Sequence, residues 1–249
     1  MILAAQNLTV TRGGTEVLRD VTATLEPGKV TAIVGPNGAG KSSLLMALAG
    51  LIVPSAGAVT LDGQALAAVA PSERAKAIGY LPQEADVAWD VSVEALVALG
   101  RLPHRDRGRA QIAAALHALA LEPLAHRPVS RLSGGERARV LLARVLAGEP
   151  RWILADEPFA ALDLAHQLAL VGHLKRCVSD GVGVVIVVHD LATAMNHADR
   201  VLVLSEGTLA ADAAAQDALT SATISRVWGV ETGWLGVPGQ YALVAHGGE

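Results

Sequence analysis

Three observations predict an α/β fold: a mostly parallel sheet flanked by helices, with an antiparallel β region at its N-terminus and an α-helical subdomain inserted midway. An apolar, β-branched run, Val30–Val34, leads into a glycine-rich turn and then a helix from about Lys41. A second apolar run, Trp152–Ala155, ends in adjacent acids, Asp156 and Glu157, which puts them at the carboxyl edge of a sheet, where open α/β folds bind ligands. Between the two, from about Glu84 to Pro150, the composition shifts to Ala, Leu and Arg with helical periodicity.

The elements follow in order. Short strands are expected at Ile2–Val10, Val17–Leu25, Val30–Val34, Ala58–Leu61 and Ile78–Leu81, punctuated by Gly13-Gly14, Pro27-Gly28 and Asp62-Gly63. Only the helix after the glycine loop and a short one near Ser72–Ala77 interrupt them. Ser92 caps a helix over Val93–Leu99, and Arg109–Leu121 and Glu136–Ala147 follow. Strands return at Trp152–Ala155, Val182–Val188 and Val201–Leu204, with helices at Leu164–Val178 and Leu191–His197 between them. Thr220–Gly229 reads as a closing helix and Tyr241–Val244 as a stray strand. The expected organisation is one domain over 1–249, with a core of 1–83 and 151–235, a helical subdomain of 84–150 and a tail of 236–249.

Composition narrows the partners. The 249 residues carry a net charge of −4 and only 3% aromatic residues, neither the basic face nor the stacking platforms of a nucleic-acid binder. No 18-residue apolar run spans a bilayer, and the N-terminus reads as having neither a basic leader nor a signal core. A single cysteine, Cys177, excludes an internal disulfide and fits a reducing compartment, buried as a small hydrophobe in a helix. A cytosolic chain is expected.

Gly35-Pro36-Asn37-Gly38-Ala39-Gly40-Lys41-Ser42 has the spacing G-x-x-x-x-G-K-S of a phosphate-binding loop. Its glycines let successive backbone N–H groups turn towards phosphate oxygens. Lys41 reaches the terminal phosphates, the Ser42 hydroxyl can ligate Mg²⁺, and the helix N-terminus faces the same anion. Asp156 would hold Mg²⁺ through water, because Mg²⁺ keeps much of its hydration shell, and Glu157 would orient and deprotonate an attacking water. Strand alternation sends the two acids to different sides; acids before Pro158 also fit a helix N-cap. Leu132-Ser133-Gly134-Gly135-Glu136 fits a capping box, Ser133 with Glu136, yet a cap needs no paired glycines, and Gly134-Gly135 at a helix start permit close approach of an anion.

Together, these motifs and His189 resemble the nucleotide-binding subunit of ATP-binding cassette (ABC) transporters, whose signature is LSGGQ. The resemblance covers Leu8 to about Val230, on a P-loop NTPase core. It implies ATP and Mg²⁺ as ligands, with Gly35 to Ser43 cradling the phosphates. It implies that Gln83 is the hinge glutamine that touches Mg²⁺ and senses the membrane subunit. Asp163, in Ala161-Leu162-Asp163, would belong to the loop that crosses a dimer interface, a role compatible with capping the next helix. His189 would be the switch histidine that hydrogen-bonds the γ-phosphate. The implied assembly is a head-to-tail pair of identical chains, each ATP lying between one copy's loop and the other's Ser133–Glu136.

Gly100-Arg101-Leu102-Pro103-His104 and Leu162-Asp163-Leu164-Ala165-His166-Gln167 resemble elements of importers of iron chelates, haem and vitamin B12, although His104 and His166 also fit simple exposed polar residues. The expectation is an ATPase subunit at the cytoplasmic face of a bacterial inner membrane, joined to permease subunits and served indirectly by a periplasmic substrate-binding protein. Ala85–Asp90, with Trp89, would lie under the permease's coupling segment. The alternatives are the energy subunit of an exporter with separate membrane proteins, or a soluble regulatory or DNA-repair clamp of the same fold. Some residues depart from the family pattern. Arg12 stands where many relatives stack an aromatic residue on adenine; as a planar cation it can stack there, and it equally fits a solvated loop. Glu136 replaces the usual Gln, Ser43 a common Thr and Phe159 another Thr. Glu136 would repel phosphate unless tied back to Ser133.

Overall fold

In a computed structural model, residues 1–83, 90–160 and 162–245 are described. The strands and helices are β1 (Leu3–Arg12), β2 (Thr15–Leu25), β3 (Val30–Val34), α1 (Lys41–Leu48), β4 (Ala56–Leu61), β5 (Gln64–Ala65), α2 (Pro71–Ala77), β6 (Ile78–Leu81), α3 (Val93–Ala98), α4 (Arg109–Ala118), α5 (Gly134–Ala147), β7 (Trp152–Asp156), α6 (Leu164–Ser179), β8 (Gly183–Val187), α7 (Leu191–His197), β9 (Arg200–Ser205), β10 (Thr208–Ala214), α8 (Ala215–Ala218), α9 (Ser221–Trp228), β11 (Thr232–Leu235) and β12 (Ala242–Ala245).

A six-stranded sheet has the order β10-β9-β3-β8-β7-β6. Its members pair in parallel except β10, which runs antiparallel to β9 at one edge. A four-stranded antiparallel sheet, β2-β1-β4-β5, forms the N-terminal β region. Period-two alternation sorts the central strands into two cores. Ala32, Val34, Ile153, Ala155, Val184 and Ile186 join α3–α7 on one face; Ile33, Trp152, Leu154, Val185 and Val187 join α1, β1 and β2 on the other. Helix α1 is therefore held by apolar side chains shared with both sheets.

Several expectations are corrected in detail. β10 was not foreseen, because Thr208–Ala214 is alanine-rich and lacks the β-branched residues that mark a strand. β5, α8 and β11 were also not foreseen, and the stray strand is β12, paired with β11 from Thr232↔Ala245 to Leu235↔Ala242. α4 stops at Ala118 rather than Leu121, since Ala120 takes a left-handed φ of 52°. The Ala85–Asp90 segment lies outside the described residues apart from Asp90.

Helix α5 is held at both ends. At its start, Ser133 Oγ accepts from Glu136 N (3.3 Å) while Glu136 Oε2 accepts from Ser133 N (2.7 Å), closing a capping box. Glu136 Oε1 also lies 3.6 Å from Arg127. At its far end, Arg101 Nη1 donates to Ala147 O (3.1 Å) and His104 Nε2 to Gly148 O (2.9 Å), two donors on carbonyls that the helix leaves unpaired. Arg101 is buried, with Asp106 at 2.5 Å and Glu149 at 3.0 Å. Gly100 permits this approach: a Cβ there would stand 2.0 Å from Arg144 O. Thus Gly100, Arg101 and His104 form a joint between a 3-10 turn and α5, and His104 is not a free surface residue.

Trp152 is fully buried, with Nε1 donating to Met1 O (3.1 Å). Its ring fills the space beside Gly183, where a Cβ would lie 2.4 Å from the ring. Trp152→Ala is expected to destabilise the fold by about 3–5 kcal/mol, read by urea unfolding. The Ser133 bonds hold the Glu136 carboxyl below its ordinary 4.5. A lowered folded-state pKa adds stability above the unfolded value and loses it as pH falls through the folded one. Glu136→Gln keeps a capping partner without titrating. Its unfolding midpoint should match the parent at pH 7, with the parent alone losing this contribution on acidification below 4.5.

Candidate nucleotide site

Because β3, β6, β7 and β8 are parallel, the segments that leave their carboxyl ends meet at one edge. After β3 comes the Gly35–Gly40 loop, after β6 Gln83, after β7 Glu157 and after β8 His189. Arg12, Val17, Asn37, Gly38, Gly40, Lys41, Ser42, Ser43, Gln83, Glu157 and His189 line a cleft of about 510 Å³ there. Val17 was not foreseen; the Gly13-Gly14 turn, which pairs Arg12 with Thr15, was the available sign that β2 returns beside Arg12.

The loop curls because Gly40, at the N-cap of α1, has φ 96°; a Cβ there would meet Val17 O at 2.5 Å. Pro36 O accepts from Ala39 N at 3.2 Å, which closes the turn. Lys41 Nζ donates to Gly35 O (2.8 Å) and Pro36 O (2.9 Å), placing its ammonium inside the loop. Burial lowers the Lys41 pKa, opposed by the charges of Glu157 and Asp156.

Asp156 ends β7 and is buried, accepting from Ser42 Oγ at 3.2 Å. Burial raises its pKa; the Ser42 bond opposes this, Glu157 adds to it, and the Lys41 and His189 charges oppose it. Tyr80, on β6 next to β7, was not foreseen and is pushed up to about 12 by burial and then by the Asp156 charge. Ser42 and Asp156 are hard oxygen donors side by side, a set that suits Mg²⁺ shared with phosphates. Among the described residues no group of three or more His, Cys, Asp or Glu forms a closed metal cage.

Glu157 lies beyond the strand. Its φ of 49° is left-handed, and its N–H donates to Val187 O at 3.1 Å. Strand alternation therefore does not govern where it points, which corrects the expectation; the turn does. Its two oxygens have separate partners: Oε1 is 2.5 Å from His189 Nε2, and Oε2 accepts from Gln83 Nε2 at 2.9 Å. A left-handed conformation at a non-glycine residue is costly and is held here by these bonds. Behind the pair, Phe159, Ala160, Gln167, Val188, Asp190 and Thr193 complete a cavity of about 280 Å³ with Glu157 and His189.

The structure does not bring every expected residue to this cleft. Ser133, Gly134, Gly135 and Glu136 open α5 and are not among its lining residues. Gly135 instead faces Leu162 and His166, each 3.8 Å from an ideal Cβ. Asp163 caps α6, accepting from His166 N (2.9 Å) and facing His166 Nδ1 (2.7 Å); these bonds lower its pKa. Its capping role is thus seen directly, and His166 is a local partner of the cap.

A family model for ABC transporters matches residues 18–160. The hemin import ATP-binding protein HmuV of Pseudomonas entomophila is 43% identical, over 92% of this chain and 93% of its own. A solved ATP-binding subunit of an ABC transporter has a TM-score of 0.80 at 26% identity, covering 93% of this chain and 95% of that one. A dimeric bacterial ABC transporter cassette has a TM-score of 0.77 at 28% identity, covering 86% of this chain and all but about 1% of that one, 99%. On a family match over more than half of the chain and a relative 43% identical over 92% of it, the chain belongs to the ABC transporter family, as an ATP-binding subunit whose ATP hydrolysis is coupled to transport.

Proposed function

We propose that this chain energises import of haem or a related iron chelate, working as a head-to-tail pair under a permease at the cytoplasmic face of a bacterial inner membrane, with a periplasmic binding protein delivering cargo. Similarity to the hemin import protein over almost the full length of both chains supports the cargo class. The absence of any helix long and apolar enough to cross a membrane, among the described residues, fits a separate membrane partner. The observation that carries the pair is the cleft itself. It presents the phosphate loop and Glu157 on one side, while Ser133–Glu136 lies elsewhere on the chain and is available to a second copy's nucleotide. With Glu136 tied into its capping box, the two glycines and the helix N-terminus remain the anion-facing groups.

The residues divide the reaction between them. Backbone N–H groups of Gly38 to Ser43 and the Lys41 ammonium bind the β- and γ-phosphates. Ser42 and Asp156, with Gln83 nearby, would hold Mg²⁺, whose charge would offset that of the phosphates. Arg12, on the cleft rim, covers the base. Glu157 is the general base for in-line attack of water on the γ-phosphate. Both its oxygens are engaged, so Oε1 exchanges His189 for water, and His189 turns to the γ-phosphate. Gln83 keeps the carboxylate oriented during that exchange. Asp163 meets the partner across the interface.

Glu157→Gln preserves the shape of the side chain but removes its basicity. Turnover should fall by about 10²–10⁴-fold with ATP affinity kept, measured by steady-state hydrolysis and nucleotide titration; near-parental turnover takes Glu157 out of this role. For the cargo, the chain is reconstituted with its permease in vesicles. Hemin-loaded binding protein should stimulate hydrolysis and vitamin B12 should not, the reverse result reassigning the substrate.

A further inference from the structure

The C-terminal hairpin grips the end of α7, the short helix that begins just past His189. Asn196 uses both atoms of its amide on one residue: Nδ2 donates to Tyr241 O (2.8 Å) and Oδ1 accepts from Tyr241 N (2.7 Å). The pairing fixes the amide's orientation, since a backbone N–H needs an acceptor and a carbonyl a donor. The hairpin is itself anchored. Trp234 Nε1 donates to Leu219 O (2.7 Å), just past α8, and the Trp234 and Tyr241 rings meet edge-on with centroids 6.3 Å apart.

Helix α7 has seven residues, well below the length at which a helix holds its own shape in water. Leu191, Ala194 and Met195 bury one face in the core, and the rest of its placement depends on what secures each end. At the start, Asp190 accepts from Ala192 N (3.1 Å) and Thr193 N (2.9 Å). At the finish stands the Asn196 clip. Asp190 and Thr193 line the cavity shared with Glu157 and His189, so a shift of the helix reshapes the cavity that His189 also lines. Seven residues span only about 10 Å, too short a rod to absorb displacement.

We propose that Asn196 is a positioning residue for ATP hydrolysis: through it the hairpin holds α7, and so keeps His189 aligned with Glu157. This rests on the role of His189 set out above. Neither Asn196 nor the hairpin lines the phosphate cleft, so the effect falls on turnover rather than on ATP binding.

The test compares the full chain with Asn196→Ala, Trp234→Phe, His189→Ala and the Asn196→Ala/His189→Ala double variant, by multiple-turnover and excess-enzyme single-turnover hydrolysis with thermal unfolding in parallel. Asn196→Ala should lower kcat about tenfold with KM for ATP unchanged, within the ~10²-fold that a 1 Å misplacement costs. Trp234→Phe keeps the ring but loses the bond to Leu219 and should lower kcat less. In the His189→Ala background, Asn196→Ala should cost nothing further, because both act through one side chain. Parental kcat in Asn196→Ala, or the same fractional loss with and without His189, overturns the proposal, as a merely structural clip predicts. Should Asn196→Ala fail to fold, the same comparison with Trp234→Phe decides. Near-parental turnover in His189→Ala alone instead defeats the reading of His189 on which the clip depends.

Discussion

The cleft depends on the parallel pairing of β3 between β8 and β9. Register from Val30↔Val184 to Ile33↔Val187 on one side, and from Thr31↔Arg200 to Val34↔Val203 on the other, leaves β3 no freedom to slide. All five of its residues are buried, so a one-residue slip would exchange the side chains of two separate cores. The loop that follows is therefore presented at a fixed height above the sheet. β7, paired to β8, brings Asp156 level with Val187. The hydroxyl and ammonium of neighbouring Ser42 and Lys41 and the carboxylate of Asp156, far off in the chain, share one edge because strand direction puts them there.

Burial works against the charges at that edge. It lowers the Lys41 pKa and raises that of Asp156, while each group's charge opposes the shift in the other. Loop carbonyls hold Lys41, and Ser42 holds Asp156. The arrangement is one of mutual support: an isolated charge there would be costly, whereas a hydrogen-bonded set is tolerable. Glu157 is kept apart from this set by its left-handed turn, on the more open side, with Gln83 and His189.

Features written in contiguous residues were legible in the sequence. Gly35–Ser42, the acids after Trp152–Ala155 and the Ser133–Glu136 box each announce their local geometry, and parallel order follows from strands alternating with helices. What depends on chain returning from far away was not. Pro158 marks where β7 must stop but not the left-handed turn at Glu157, and Gln83 and His189 meet that residue only through sheet order. β11 includes a glycine and is recognisable only by its pairing with β12. His104 finds its partner, the Gly148 carbonyl, only where folding brings the end of α5 within reach. Arg12 lies exposed on the cleft rim beside the Gly13-Gly14 turn, a position set by the return of β2 rather than by any local pattern.

Helix α5 has a mechanical consequence. With 14 residues it is about 21 Å long, sealed by its own capping box at one tip and clasped by Arg101 and His104 at the other. Such a body transmits thrust without buckling, since neither tip can fray to dissipate it. The turn holding Leu99 and Leu102, whose side chains are exposed, is joined through Arg101 and His104 to the end of the rod opposite the paired glycines. The chain thus contains a stiff strut, about two nanometres in reach, between a turn with two exposed leucines and the Gly134-Gly135 helix start.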